Sequence, residues 1–454
     1  MRNSLALSLI IFLFVVRFTR AGEANAVATT SALTLRECIA LALDESPVLE
    51  ASRLDVASAT ESARAARGEA LPKITAIGSA QLFSGSPTSR FSIVNLGDTG
   101  VGVTSSRAVD LGAVEVYSAN LSYPLFRDGS IMGLNTAPQE ASQLARRRNV
   151  AWTSRLRRED VIARVTEAFI STVSAENRAG FAERRVKLLR EQVNITQEQE
   201  KQGLTLPIDL KLAKNQLGGA ETLATILRQQ AVAGKIGLAR ALGFNSPSEL
   251  RLSHELPEPP EPPSAELLLG PLLSQHPSLE VQKAVIDQAR QEYRLERFRL
   301  YPSVTLQGSA VHIDDFGSSG AEVYTGAVSV NVPIFDFGAQ QATTRSRLAK
   351  YQAERARLSA VTDNVAFEIL TIYQSIYVLS QNILSLQEEV AKADRDLQVT
   401  GSQEEQGIAA PLTAIEKELR LIAKRDDLDG LQVRRLTLYA ALQKASGGSW
   451  KWFK

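Results

Sequence analysis

Few residues in this chain have types and spacings that could make or break a bond. The three histidines, His254, His276 and His312, stand far apart, and the single cysteine, Cys38, excludes an internal disulfide framework and any cysteine-based zinc site. A serine nucleophile on a strand-to-helix elbow would need Gly-x-Ser-x-Gly, a zinc peptidase His-Glu-x-x-His, and a nucleotide hydrolase the glycine-rich loop whose amides cradle phosphates; none occurs. Gly100-Val101-Gly102 lacks the third glycine of a dinucleotide fingerprint and follows no parallel strand, so it reads as loop. Arg146, Arg147 and Arg148, with Arg155, Arg157 and Arg158, could meet an anionic surface, but on a helix they read as a solvated face. With 51 basic and 50 acidic side chains in 454 residues, a nucleic-acid partner is not expected. No catalytic, cofactor-binding or metal site is expected either.

The elements must therefore carry the function. Hydrophobic residues make up 44%, charged residues 22% and aromatics 6%, while Ala, Leu, Gln, Glu and Arg crowd long stretches, which predicts long helices. Arg2, the apolar run Leu5 to Val16 and then Ala24-Asn25-Ala26 follow the order of a secretory signal peptide, so residues 1–26 are expected to be removed. That run of about a dozen residues is short of the roughly 20 that span a bilayer as a helix. A lipid anchor is not supported, since no cysteine stands at the cleavage region. No later segment reaches spanning length as a helix, so any membrane crossing must be by strands.

The chain repeats itself. Ser46-Pro47 and the helical stretch to Leu71-Pro72 are echoed by His276-Pro277 and the stretch to Tyr301-Pro302, with the prolines equally spaced. Tyr123-Pro124-Leu125-Phe126-Arg127-Asp128-Gly129 is echoed by Val332-Pro333-Ile334-Phe335-Asp336-Phe337-Gly338, and Gly203-Leu204-Thr205-Leu206-Pro207 by Gly407-Ile408-Ala409-Ala410-Pro411. Landmarks of several kinds in one order mark two structural units. The expected division is a first repeat over 27–256, a proline-rich spacer over 257–263, a second repeat over 264–445 and a tail over 446–454. The tail, Trp450-Lys451-Trp452-Phe453-Lys454, could anchor at an interface but reads rather as disordered.

Each repeat changes period along its length. Alternation with period two predicts β-hairpins over about 73–126 and 303–335. Tyr324, Gly326, Val328, Val330 and Val332 form a greasy face against Thr325, Ala327, Ser329 and Asn331, and Tyr117, Ala119, Leu121 and Tyr123 likewise oppose Ser118, Asn120 and Ser122. The segment from about Ser84 to Gly112, rich in Gly, Ser and Thr, reads as an exposed loop. Long helical hairpins are predicted over about 139–244 and 339–445, with helices of roughly 100 Å at 1.5 Å per residue. In the second, Leu358, Val361, Val365, Ile369, Ile372, Ile376, Leu379, Ile383, Leu386, Val390, Ala393 and Leu397 step by three and four, which is a coiled-coil seam.

A hairpin with one greasy and one polar face suits lipid on one side and water on the other. Two hairpins give only about four strands, and open edges cannot persist in hydrocarbon, so such a chain must close with copies of itself. Here the residues resemble the outer membrane efflux proteins, the TolC-like channels. The likeness runs from Leu33-Thr34-Leu35-Arg36-Glu37-Cys38 to Leu436-Thr437-Leu438-Tyr439-Ala440-Ala441-Leu442, and the duplicated order of helix, hairpin and long helical hairpin carries it.

The resemblance implies an α+β membrane protein. Each chain would give four transmembrane strands to a shared trimeric twelve-stranded barrel, continued by a long periplasmic α-helical coiled-coil barrel. It implies a homotrimer in outer-membrane lipid, a periplasmic adaptor (membrane fusion) protein and an inner-membrane pump. The chain would then be the passive exit duct of a tripartite efflux or type I secretion system, located in the cell outer membrane with a large periplasmic domain. A periplasmic coiled-coil adaptor is the rival reading, but it would be expected to show one helical hairpin flanked by small β domains. A secreted enzyme is the third, and it lacks catalytic candidates. Family tips carry Gly-Leu and then an acidic residue, which Gly203, Leu204 and Asp209 match; in the second tip Gly407 is followed by Thr413, with Glu416 one turn later. The resemblance makes these six residues candidates for the periplasmic gate, and Asp209 and Glu416 are equally well read as exposed carboxylates favoured near a helix start.

Overall fold

Proline fixes φ near the helical value and has no N–H to leave unpaired, so it suits the first turn of a helix. Pro47, Pro138, Pro207, Pro277 and Pro411 each open one here. In the computed structural model the described residues are 32–82, 113–243, 251–254, 256–261, 264–274, 276–315, 318–407 and 409–452. The expected signal peptide and the loop of about 84–112 lie outside them. The order is α1 (Leu35–Glu45), α2 (Pro47–Gly68), β1 (Lys73–Leu82), β2 (Ala113–Arg127), β3 (Ser130–Ile131), α3 (Pro138–Lys201), α4 (Pro207–Leu242), α5 (Ala265–Ser274), α6 (Pro277–Phe298), β4 (Ser303–Asp315), β5 (Ser318–Asn331), α7 (Ala339–Glu405) and α8 (Pro411–Ala445).

The strands form one antiparallel sheet in the order β1-β2-β4-β5, so β2 and β4 join the two hairpins and β1 and β5 are its edges. From the sheet, α3 and α7 run 64 and 67 residues, close to 100 Å each at about 1.5 Å per residue. Thr166 and Thr172 sit inside α3 with 1% and 0% exposure because each hydroxyl donates to the carbonyl four residues back, at 2.8 and 2.6 Å. No described helix is long and apolar enough to cross a membrane.

The main core sits at the waist of the helical part. Phe169, Ile170 and Val173 of α3 meet Leu238 and Leu242 of α4, Ile369 and Ile376 of α7, and Leu442 of α8, closed over by α1 with Cys38 and by α5 with Leu272. Towards the tips the two helical hairpins differ in side-chain size. The α3–α4 seam is built on Ala179, Ala182, Ala224 and Leu227, while α7 presents Leu379 and Ile383. All twelve predicted seam positions of α7 are buried or half-buried, with Ile376 and Ile383 at 1% exposure.

The tail departs from its reading as disordered. Trp452 is 3% exposed, and both Trp450 and Trp452 lie against Tyr439, with ring centroids 5.7 and 6.0 Å away. Burial of two indoles outweighs the chain entropy that composition alone emphasises. The buried His276 fastens this end: its Nδ1 accepts from Ser278 N (3.2 Å), which leaves Nε2–H to donate to the Ala445 carbonyl at 2.7 Å.

Candidate functional site

Cross-strand register gives the sheet its faces, because directly paired residues share a side. One side carries the rows Ile74–Leu121–Gly308–Gly326, Ala76–Ala119–Ala310–Tyr324 and Tyr123–Leu306–Val328. Its large apolar groups stand bare, with Ile74 at 78%, Val328 at 61% and Val330 at 59% exposure. The other side carries Thr75–Asn120–Ser309–Thr325 and Lys73–Ser122–Gln307–Ala327, and the Ser309 and Thr325 hydroxyls bond at 2.5 Å. The greasy side thus has no charged row over Val332 to Tyr324, nine residues or about 26 Å of strand, on the scale of the apolar band of a membrane barrel.

Past the Tyr324 row both faces reverse. On the greasy side appear Glu115, His312 and Glu322; the Tyr117 hydroxyl donates to Glu115 (2.6 Å), that of Tyr324 to Glu322 (3.1 Å), and His312 lies 3.8 Å from Glu322. On the polar side appear Ile77, Val116, Val311, Ile313 and Val323, grouped by the pairs Val116–Ile313 and Val311–Val323. A greasy band ended by tyrosines and then carboxylates is the pattern of an apolar layer giving way to water.

At its helical end the polar face opens on a cavity of about 830 Å³ lined by Ser122, Gln307, Asn331, Arg127, Arg299 and Tyr301. Arg127 and Arg299 flank Asp128 at 3.6 and 3.9 Å, and Arg299 also meets Glu296 at 3.2 Å, so the charges largely cancel. In the sequence His312 stands out only as an isolated histidine and Arg127 only as part of the repeated strand-end motif, while Glu115, Glu322 and Arg299 belong to no motif. For Glu115 and Glu322 a signal existed, since each stands two residues before a tyrosine in a strand.

The far ends of the helical hairpins hold the other candidates. Gly203 (φ +70°) and Gly407 (φ +73°) take the left-handed conformation that lets a helix stop and turn back, and Gly203 N–H donates to Glu200 O, as Gly407 N–H does to Glu404 O. Leu204 is 72% exposed. The Asp209 carboxylate accepts from Leu206 N (3.2 Å) and Thr205 Oγ1 (3.0 Å), so it tethers the loop to the start of α4. Thr413 holds the matching place in α8, its N–H donating to Ala410 O at 2.9 Å, and it has no carboxylate to offer the loop. Thr413 and Glu416 are exposed.

The structure does not bring Asp209 and Glu416 together. Pairs Glu183–Arg228 and Arg190–Glu221 set Asp209 opposite the last residues of α3. Pairs Arg178–Asp426 and Arg184–Glu418 set Glu416 opposite the stretch of α3 near Lys187. About fifteen residues of helix lie between these levels, roughly 22 Å, so the first tip reaches further from the sheet than the second.

The sequence model of the outer membrane efflux protein family matches residues 268–448. The chain is 27% identical over 191 residues to the pyoverdine export outer membrane protein OpmQ of Pseudomonas aeruginosa, a match that covers 40% of this chain and spans 38% of that relative's length. In three dimensions it resembles the outer membrane protein VceC of Vibrio cholerae, with a TM-score of 0.72 and 18% identity over 92% of this chain and 97% of that one. It also resembles the CmeC outer membrane channel of Campylobacter jejuni, with a TM-score of 0.74 and 14% identity over 92% of this chain and 87% of that one. Residues 268–448 therefore match the outer membrane efflux protein family, within a fold that the chain shares with VceC and CmeC over 92% of its length.

Proposed function

We propose that this chain is the outer-membrane exit duct of a tripartite efflux or type I secretion system, closed as a homotrimer. The observation that carries the reading is the sheet: one side bare and apolar over a membrane's depth, the other polar, and the outer edges of β1 and β5 unpaired among the described residues. Unpaired strand edges are untenable in hydrocarbon, and three copies pairing edge to edge remove them all. The helices then extend into the periplasm, where a periplasmic adaptor meets their tips and an inner-membrane pump delivers cargo. The stated role of the Pseudomonas aeruginosa relative, pyoverdine export, favours a small-molecule cargo.

Within that duct the two repeats, 27–256 and 264–445, act as pseudo-equivalent staves around the proline-rich spacer 257–263, behind a cleaved signal peptide at 1–26. The tips carry the gate. Gly203, Leu204 and Asp209 form its outermost level, and Gly407, Thr413 and Glu416 a second level nearer the sheet. Repeated threefold, the two carboxylates give two thin anionic rings at different depths rather than one dense ring. Fractionation of cells expressing the full chain tests the reading: the mature protein should partition with the outer membrane, require detergent for extraction and have a trimer's mass. A soluble monomer obtained without detergent would overturn it.

A further inference from the structure

The second repeat leaves unmade a contact that the first repeat makes. Between β2 and α3, Asp128 (φ +53°) and Gly129 (φ +85°) form a turn that packs on the end of α6. The Phe298 ring lies so close over Gly129 that a Cβ there would stand 2.6 Å from it, and Arg299 reaches Asp128 at 3.9 Å. Between β5 and α7 the same turn is built from the aligned residues Phe337 (φ +55°) and Gly338 (φ +85°). No described residue covers it: Ile334, Phe335 and Phe337 are 91%, 75% and 92% exposed, and the two phenylalanine rings rest on one another at 4.6 Å.

The surface that would receive this turn is present as well. Helix α2 is the counterpart of α6: both run 22 residues from a proline, ending at Gly68 and Phe298. The residues that follow, Glu69 and Arg299, share a conformation, with φ/ψ of −68°/−21° and −65°/−15°. Space over Gly68 is open, since a Cβ there would meet nothing within 4 Å. The turn follows β5 and α2 precedes β1, the two opposite edges of the sheet, so one chain cannot join them.

We propose that the turn between β5 and α7 of one copy seats on the end of α2 of a second copy, Phe335 and Phe337 lying over Gly68 and the stem of Glu69. The sizes are complementary in the opposite sense to the internal contact. Inside the chain the turn has the glycine and the helix the phenylalanine; between copies the turn has the phenylalanines and the helix the glycine.

The long helices repeat the pattern. Val232 and Ile236 of α4 are 48% and 50% exposed, whereas their counterparts Leu436 and Ala440 of α8 are 3% and 2% exposed. Tyr377 and Val378 of α7 are 59% and 56% exposed, whereas their counterparts Val173 and Ser174 are buried in α3, Ser174 bonding Asp429 of α8 at 2.8 Å. Helix α7 of one copy thus faces α4 of the next as α3 faces α8 within the chain. This rests on the reading of the chain as a self-closing duct and names the surface by which it closes.

Cysteine crosslinking tests it. Glu69→Cys with Phe337→Cys in the full chain, treated with a short bismaleimide, should give covalent dimers and trimers on a denaturing gel, and neither single variant should. Asp128→Cys with Arg299→Cys is the internal control and should crosslink without raising the chain's mass. Light scattering of the same preparations separates the failures. A trimer of native mass with no crosslink from the Glu69/Phe337 pair overturns this interface and leaves the duct reading intact; a monomer overturns both. As a second arm, Phe335→Ala with Phe337→Ala should lower the trimer that survives denaturing detergent by about tenfold at unchanged helix content. Undiminished trimer in that variant overturns the proposal.

Discussion

Replacing Ile376 or Ile383 with Asp puts the seam of α7 to a quantitative test. Each side chain is 1% exposed, and Ile376 belongs to the waist core with Ile369, Phe169 and Leu436. Removing the isoleucine forfeits about 1.5–3 kcal/mol of apolar burial. The new carboxyl must then either lie charged in an apolar site or stay protonated at neutral pH; raising its pKa by three units alone costs about 4 kcal/mol. The sum, about 5–7 kcal/mol, approaches the whole stability of many domains. Gln381→Glu, which adds a carboxylate on the exposed side of the same helix, should move stability by no more than about 0.5 kcal/mol. Denaturant midpoints and yields of folded protein in detergent, measured on all three variants, decide the matter. If Ile376→Asp and Ile383→Asp both keep the natural midpoint and yield, the seam does not hold the helical hairpin together.

Further outcomes follow from individual groups. Burial raises the Glu292 carboxyl, but bonds from Lys350 and Gln288 and the nearby Arg347 outweigh it and hold it below the ordinary carboxylate range. Its contribution is therefore present above the unfolded pKa and lost as pH falls through the folded one, so Glu292→Gln should flatten the loss of thermal stability seen on acidification below about pH 4.5. Burial, with Glu37 beside it, pushes the Cys38 thiol up to about 12, so the folded protein at pH 8 should resist iodoacetamide and label only on unfolding, as mass spectrometry would register. Asp209→Asn should weaken the α4 start by about 0.5–1 kcal/mol, because its carboxylate holds Leu206 N–H and Thr205. Glu416→Gln should leave stability unchanged, and both variants should lower cation preference in bilayer recordings; unaltered selectivity in the double variant would assign the two residues to helix starts alone.

Legibility in the sequence followed the range of the interactions. The α7 seam could be read from Leu358 to Leu397 because its signal is a spacing within one helix, and the tips because Gly203 and Gly407 must adopt positive φ before a proline restart. Alternation within β5 revealed a greasy and a polar side. It could not reveal that Val116, Val311, Ile313 and Val323 gather at one end of the polar side, since that grouping depends on pairing across three strands. The roughly 22 Å offset between Asp209 and Glu416 was hidden for the same reason, because the level of Glu416 is set by ion pairs between residues more than 230 positions apart, such as Arg184 and Glu418. The tail was misread because composition does not register that Trp450 and Trp452 have Tyr439 to pack on.

The central claim is that this chain, without any other protein, closes into a water-filled duct through a membrane. The most direct measurement is the current through a planar bilayer on addition of the purified, detergent-extracted protein. The trimeric fraction should give stepwise, long-lived conductance increments of uniform size, and monomer none. A trimer that inserts into the bilayer, as shown by protection of its strands from protease, yet carries no current under any voltage or salt gradient would contradict it.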